Sequence, residues 1–191
     1  MRRAGATSAA RAVVYGRRVS ESGSVLVVTG AAATGKSTVG DHLRGRSGLV
    51  VIDGDVLGSG ATATADGRRD YVGFWRYVLS ISSEIRRSGL VPVIPCICLP
   101  EQVLAAVDDE VVHFLALVSE PDVVRRRIAG RRGVSAVPSP ETHVAFDRRL
   151  REVRSVPAPH TWTAYDVAVH DVRQTLEAGD RWAEARAGRP G

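Results

Sequence analysis

A chain of 191 residues, 44% hydrophobic and 25% charged, is long enough for one domain with a full core and too apolar to remain disordered. No stretch approaches the ~18 apolar residues of a membrane span, and the start, residues 1–23, lacks the apolar centre of a secretory signal. The formal charge of +5 admits a nucleic-acid partner, but the arginines are scattered in pairs without interleaved aromatics, which favours an anion-binding enzyme with a basic lid.

Residues 1–23 are expected as a flexible extension, residues 24–187 as one domain and residues 188–191 as a tail. Ser24–Thr29 is a short β-branched apolar run that ends on a glycine-rich loop, and Ser37–Arg46 reads as a helix. Leu49–Ile52 is a second apolar run, closed by Asp53-Gly54-Asp55. Residues 58–67, rich in glycine, alanine and threonine, read as a loop. Asp70–Arg87 repeats apolar residues at helical spacing (Tyr71, Phe74, Trp75, Val78, Leu79, Ser82, Ile85), and Gly89 stops it.

Leu90–Leu99 is the third apolar run and contains Pro92 and Pro95, so as a central strand it must start late or carry a bulge. Pro100–Val107 reads as a short helix, Val111–Val118 as the fourth strand and Pro121–Arg132 as an arginine-dense helix. Gly133–Pro140 is a loop, Glu141–Val153 a helix, Val167–Val169 a short last strand and Asp171–Ala187 a closing helix. Strands alternating with helices predict a parallel sheet covered on both faces.

Gly30-Ala31-Ala32-Ala33-Thr34-Gly35-Lys36-Ser37 matches the phosphate-binding pattern G-x-x-x-x-G-K-[ST] at every fixed position, with a strand before it and a helix after. Lys36 is the sole lysine; every other cationic side chain among the 26 is arginine. A bias against lysine that spares this position marks chemistry that a planar guanidinium does not replace. The loop amides and the helix N-terminus would hold phosphate oxygens. Lys36 would bridge the outer phosphates, Ser37 would ligate Mg²⁺, and Thr38 would support the helix start beside the α-phosphate.

Asp53 and Asp55 follow the second strand, beyond whose carboxyl end an open α/β sheet binds its ligands. One carboxylate would orient Mg²⁺ and the other would take a proton from an attacking hydroxyl, with Gly54 letting the backbone turn so that both face the site. Arg127 and Arg131, four apart on one helical face within the crowded segment Arg125–Gly133, suit a lid near residues 125–140 that closes on a polyphosphate. Cys96 and Cys98 share one face of a strand and fit neither a redox CxxC nor a zinc site; free buried thiols in a reducing cytoplasm are expected. His42, His113, His143, His160 and His170 have no metal-binding spacing. Phe146, Trp162 and Trp182 read as packing residues, and Arg76 either as a surface residue or as a contact for an anionic substrate.

Three segments, GAAATGKS at Gly30–Ser37, IDGD at Ile52–Asp55 and RRIAGRRG at Arg126–Gly133, together resemble the small-molecule kinase branch of the P-loop NTPases, which includes gluconate, shikimate, adenylylsulfate and nucleoside or nucleotide kinases. The resemblance implies an α/β three-layer sandwich with a five-stranded parallel sheet of order 2-3-1-4-5. It implies ATP and Mg²⁺, Asp53 as the Mg²⁺-side carboxylate, Asp55 as the partner of the acceptor hydroxyl, and Arg127 and Arg131 in the lid. Residues 56–76 match none of the sugar or shikimate motifs.

A nucleoside or nucleotide acceptor is the first expectation and a sugar acid or other hydroxyl metabolite the second. A nucleotide-binding regulatory module is the alternative to phosphotransfer. A regulatory GTPase is excluded because its N-K-x-D element needs a second lysine. Val103–Val107 before Asp108-Asp109-Glu110 imitates the strand of a mechanical ATPase but reads as the end of a helix. The working form is expected to be a cytoplasmic monomer or homodimer.

Overall fold

The computed structural model describes residues 23–58, 70–130 and 139–187. Five strands form one all-parallel sheet: β1 (Ser24–Gly30), β2 (Leu49–Val51), β3 (Val91–Pro95), β4 (Val111–Val118) and β5 (Thr161–Asp166), in the order β2-β3-β1-β4-β5. The helices are α1 (Lys36–Arg44), α2 (Gly54–Gly58), α3 (Tyr71–Arg87), α4 (Pro100–Leu104), α5 (Pro121–Ala129), α6 (Pro140–Glu152) and α7 (Val172–Ala187). This is the three-layer architecture and strand order that the sequence implied.

Alternation along the buried strands divides the core between the two faces of the sheet, as period-two side chains require. Val25, Val27, Ile94, Val112 and Phe114 pack with Trp75, Val78 and Leu79 of α3. Leu26, Val28, Val93, Leu115 and Leu117 pack with Val39 and Leu43 of α1 and Trp182 of α7. α3 follows its predicted spacing, burying Trp75, Val78, Leu79 and Ser82, and the Asp70 carboxylate caps it by accepting from the Gly73 amide at 2.8 Å. α1 lies close to the sheet because Gly40 has no side chain there; a Cβ would stand 2.6 Å from the Pro95 ring.

The prolines of β3 sit where no donor is missed. Val91 donates to the Gly48 carbonyl at 2.8 Å and Cys96 to the Val28 carbonyl at 3.0 Å, so amides 91, 93 and 95 face β2 while 92, 94 and 96 face β1. Pro92 therefore aims at β1 one residue before that ladder begins at Leu26 and Val93, and Pro95 aims at β2 beyond its last residue, Val51. The strand does start late toward β1, and it remains a central strand with two prolines.

The last strand needs a correction. Val167–Val169, read as β5 from its apolar residues, is a turn, and β5 is Thr161–Asp166. The strand is half-buried at the sheet edge, so its pattern is polar and aromatic, whereas Val167 is apolar because it plugs the core beneath the turn. Trp162 packs on Phe114 with ring centroids 6.0 Å apart. Arg131 and most of the predicted 58–67 and 133–140 loops lie outside the described residues. Among the described residues no helix is long and apolar enough to cross a membrane.

At the amino end of the sheet, His113 is held below its ordinary value of 6.5 by burial and then by the charges of Arg186 and His160; His160 is lowered by its own burial. The unfolded chain then binds more protons than the folded one at and below 6.5, so stability is complete above that value and is lost as pH falls through the lowered one. Urea unfolding between pH 7 and pH 5 is expected to show this decline, with a shallower slope in His113→Gln; parallel slopes in the two proteins would contradict it.

Candidate active site

β1 occupies the centre of the sheet, and the chain moves to opposite sides of it after β1 and after β3, so the crevice at a topological switch point opens over their carboxyl ends. The glycine-rich loop fills that place. Gly30 is required by close approach: a Cβ would meet the Leu117 carbonyl of β4 at 2.6 Å. Ala33 takes φ 62° and Gly35 φ 100°. For Ala33 the left-handed backbone costs about 1–2 kcal/mol, a strain typical of functional loops.

The Ala31 carbonyl gathers the loop, accepting from the Thr34 hydroxyl and from Lys36 Nζ, each at 2.9 Å. Lys36 is 6% exposed. No side chain caps α1 at Gly35, and its first turn holds no acidic residue, so its leading amides and positive end face the crevice. Ser37 and Thr38 follow, both exposed.

Thr29, fully buried at the end of β1, ties this loop to the segment after β3: its hydroxyl donates to the Cys98 carbonyl at 2.6 Å and accepts from the Cys98 amide at 3.3 Å. Cys96 and Cys98 are free and buried, as expected. The Cys96 thiol is pushed well up by its hydrogen bond with Cys98 and then by burial; Asp55 pushes it further up and Lys36 pulls it down. The thiol thus lies within electrostatic range of both Asp55 and Lys36.

Asp53 and Asp55 bracket the start of α2 rather than a free turn. Asp53 Oδ1 accepts from the Asp55 amide at 2.9 Å and from the Val56 amide at 3.4 Å, an N-cap that fixes the helix. Asp55 is exposed, its Oδ1 3.5 Å from the Ile97 amide. Gly54 serves a purpose different from the one expected. It is absent from the left-handed residues, and a Cβ there would stand 2.7 Å from Cys96 Cβ and 3.1 Å from the Pro95 carbonyl. The glycine lets α2 lie directly against β3.

Arg127 of α5 donates to the Val167 carbonyl at 3.1 Å and borders a cavity of about 260 Å³. The cavity is also lined by Ala33–Gly35 and Thr38, and by Val167, His170, Thr175 and Leu176. His170 is set there by Nδ1 against the Asp166 carbonyl, 2.7 Å, and by stacking on Tyr165, centroids 4.5 Å apart. Placing the last strand too late hid these residues; beyond the true end of β5 they fall where ligands bind. A larger hollow of about 630 Å³, between the carboxyl ends of α1 and α7, is lined by Leu43, Arg46 and Asp180 and holds none of the predicted site residues. Among the described residues no cluster of histidines, cysteines and carboxylates could by itself hold a metal ion.

Gly54→Ala is expected to destabilise the protein by about 1–3 kcal/mol in urea unfolding, the usual range for overpacking. Cys96→Gly in the same chain should recover part of that loss, and strict additivity of the two changes would show that the contact does not matter.

No protein-family profile and no curated protein sequence matches the chain. Solved structures do. A sugar kinase from Janibacter sp. HTCC2649 is 17% identical over 87% of this chain and 96% of its own, with TM-score 0.65. A gluconokinase from Sinorhizobium meliloti 1021 is 21% identical over 86% and 93%, TM-score 0.51. The Mycobacterium tuberculosis APS kinase in complex with AMPPNP and APS is 15% identical over 85% and 98%, TM-score 0.52. The fold of this chain is that of the P-loop small-molecule kinases.

Proposed function

We propose that the protein transfers the γ-phosphoryl group of ATP to a hydroxyl of a small molecule. The observation that carries this is the phosphate-binding loop with buried Lys36 and an uncapped helix start at the switch point, and Asp55 held at the carboxyl end of the neighbouring β3, its Oδ1 3.5 Å from the Ile97 amide. A phosphate-binding loop alone suits any nucleotide binder; a carboxylate on the facing strand end adds what transfer needs. The cavity against Arg127, Val167 and His170 takes the nucleoside, and the loop amides with Lys36 take the phosphates.

The Ser37 hydroxyl and the Asp53 carboxylate are hard oxygen donors that fit Mg²⁺ with waters between. When bound, the ion neutralises charge on the outer phosphates. Lys36 spreads the same neutralisation to the bridging side, and Asp53 keeps Oδ1 on the α2 amides while its charge faces the site. Asp55 accepts the proton as the acceptor oxygen bonds to the γ-phosphorus and the bond to the β-phosphate oxygen breaks, leaving ADP. Arg127, fixed on Val167, belongs to the nucleoside side.

A nucleoside or nucleotide is the finer reading of the acceptor. Phe74, half-buried beside Leu57 and within 3.7 Å of a Cβ built on Gly58, gives the α2 side an aromatic wall suited to a base. A sugar acid is the second reading, supported by the gluconokinase likeness.

Incubation with γ-labelled ATP and separate nucleoside and sugar-acid pools should label one product class. Lys36→Ala should abolish ATP binding. Asp55→Asn should bind ATP normally and lose ~10²–10⁴-fold in transfer, the range for a general base. Arg127→Ala should raise KM for ATP with kcat little changed. Unchanged turnover in Lys36→Ala, or ATP binding without transfer to either pool, would overturn the reading.

A further inference from the structure

α6 carries His143, Asp147 and Arg151 at four-residue spacing, one above the other on a single face. Asp147 accepts from the Ser119 amide at 3.1 Å, and Arg151 reaches Asp147 and the Ser119 carbonyl at 3.1 Å and Asp166 at 3.4 Å, so these two hold the ends of β4 and β5. His143 reaches the phosphate-binding loop. Its ring, 4% exposed, accepts on Nδ1 from the Ala32 amide at 3.3 Å, across 111 residues of sequence.

Ala32 precedes Ala33, the strained residue of the loop. Left-handed backbone at a residue with a Cβ persists only where surrounding contacts over-determine it. Thr34 and Lys36 hold the Ala31 carbonyl from within the loop, while His143 holds the next amide from outside it. With the Ala32 donor turned toward α6 and the Thr34 amide folded back on the Ala31 carbonyl at 3.4 Å, the loop is fixed on both sides of Ala33 as it leads into the uncapped start of α1. The bond also dictates the chemistry of the ring: an acceptor at Nδ1 is a neutral imidazole with its proton on Nε2.

We propose that His143 is a positioning residue for phosphate binding, its Nδ1 setting the loop through the Ala32 amide. This rests on the phosphotransfer reading only in taking ATP as the ligand. An asparagine carries its carboxamide oxygen on Cγ, as histidine carries Nδ1, whereas glutamine places it one bond further out. The substitutions therefore separate a hydrogen-bonding role from mere filling of space.

ATP binding by calorimetry and hydrogen exchange of the Ala32 amide by NMR are the two measurements. His143→Leu is expected to weaken ATP binding ~10-fold, the loss of about one hydrogen bond, and to speed Ala32 exchange. His143→Asn should return both toward the wild-type values, and His143→Gln should not. ATP affinity in His143→Leu equal to wild type, or rescue by Gln as complete as by Asn, would overturn the role. If His143→Leu does not fold, the contrast between Asn and Gln decides. Wild-type protein that binds no ATP would instead refute the phosphotransfer reading, and unaltered Ala32 exchange across all variants would refute the hold of His143 on the loop.

Discussion

The first turn of α1 starts at the centre of a parallel sheet with no side chain to cap it and with a buried ammonium beside it. Amides at a helix start are polar groups that must find acceptors, and a lysine taken from water loses several kcal/mol of solvation unless something compensates. The Ala31 carbonyl meets part of the need of Lys36. An uncapped helix start at a switch point of the sheet is a place suited to an anion rather than a neutral ligand. The surrounding structure follows from keeping this arrangement: Gly30 beneath the β4 carbonyl, Ala33 in left-handed backbone, Thr29 bound to Cys98.

The second half of the site is delivered by β3, and its prolines have a part in that. Because Pro92 faces β1 before their ladder begins and Pro95 faces β2 beyond its last residue, the strand stays central while its carboxyl end runs free of β2. The freed end bends toward Thr29 and brings Cys96 under α2. There Gly54 allows contact so close that a single methyl group would run into Cys96 and the Pro95 carbonyl and displace α2 with its two carboxylates. Position is set by the absence of atoms at Gly54 as much as by the hydrogen bonds of Asp53.

What could be read in the sequence was whatever depends on local pattern. Strand alternation, the spacing of Trp75, Val78, Leu79 and Ser82, and the fixed positions of the glycine-rich loop all express contacts made within one element or between an element and the core. They carry the fold and the place of the glycine-rich loop within it. Features that depend on tertiary approach left no such trace. Gly54 looks like a turn glycine until Cys96 is seen beneath it, and β5 looks like a loop because an edge strand buries only half of each residue. His143 is one histidine among five, and only the packing of α6 on the loop distinguishes it. The cavity beside Arg127 escaped for a related reason: Val167 and His170 are read correctly only once the strand before them ends in the right place.

α6 shows how one helix can set several distant atoms together. His143, Asp147 and Arg151 share a face, so a rotation or a one-residue slip would take all three from the loop, β4 and β5 at the same time. That linkage is not made for stability. Burial drives the Asp147 carboxyl above its ordinary range, although the Ser119 amide and Arg151 pull it down, so desolvation is the larger effect. A buried pair of this kind often contributes less than apolar residues of equal size would, and its specific gain is in register. An apolar face could cover the sheet as well, but it would tolerate small rotations that a carboxylate bound to one amide and a ring bound to another do not. A loop whose amide directions must be fixed needs that intolerance, and α6 supplies it from outside the loop.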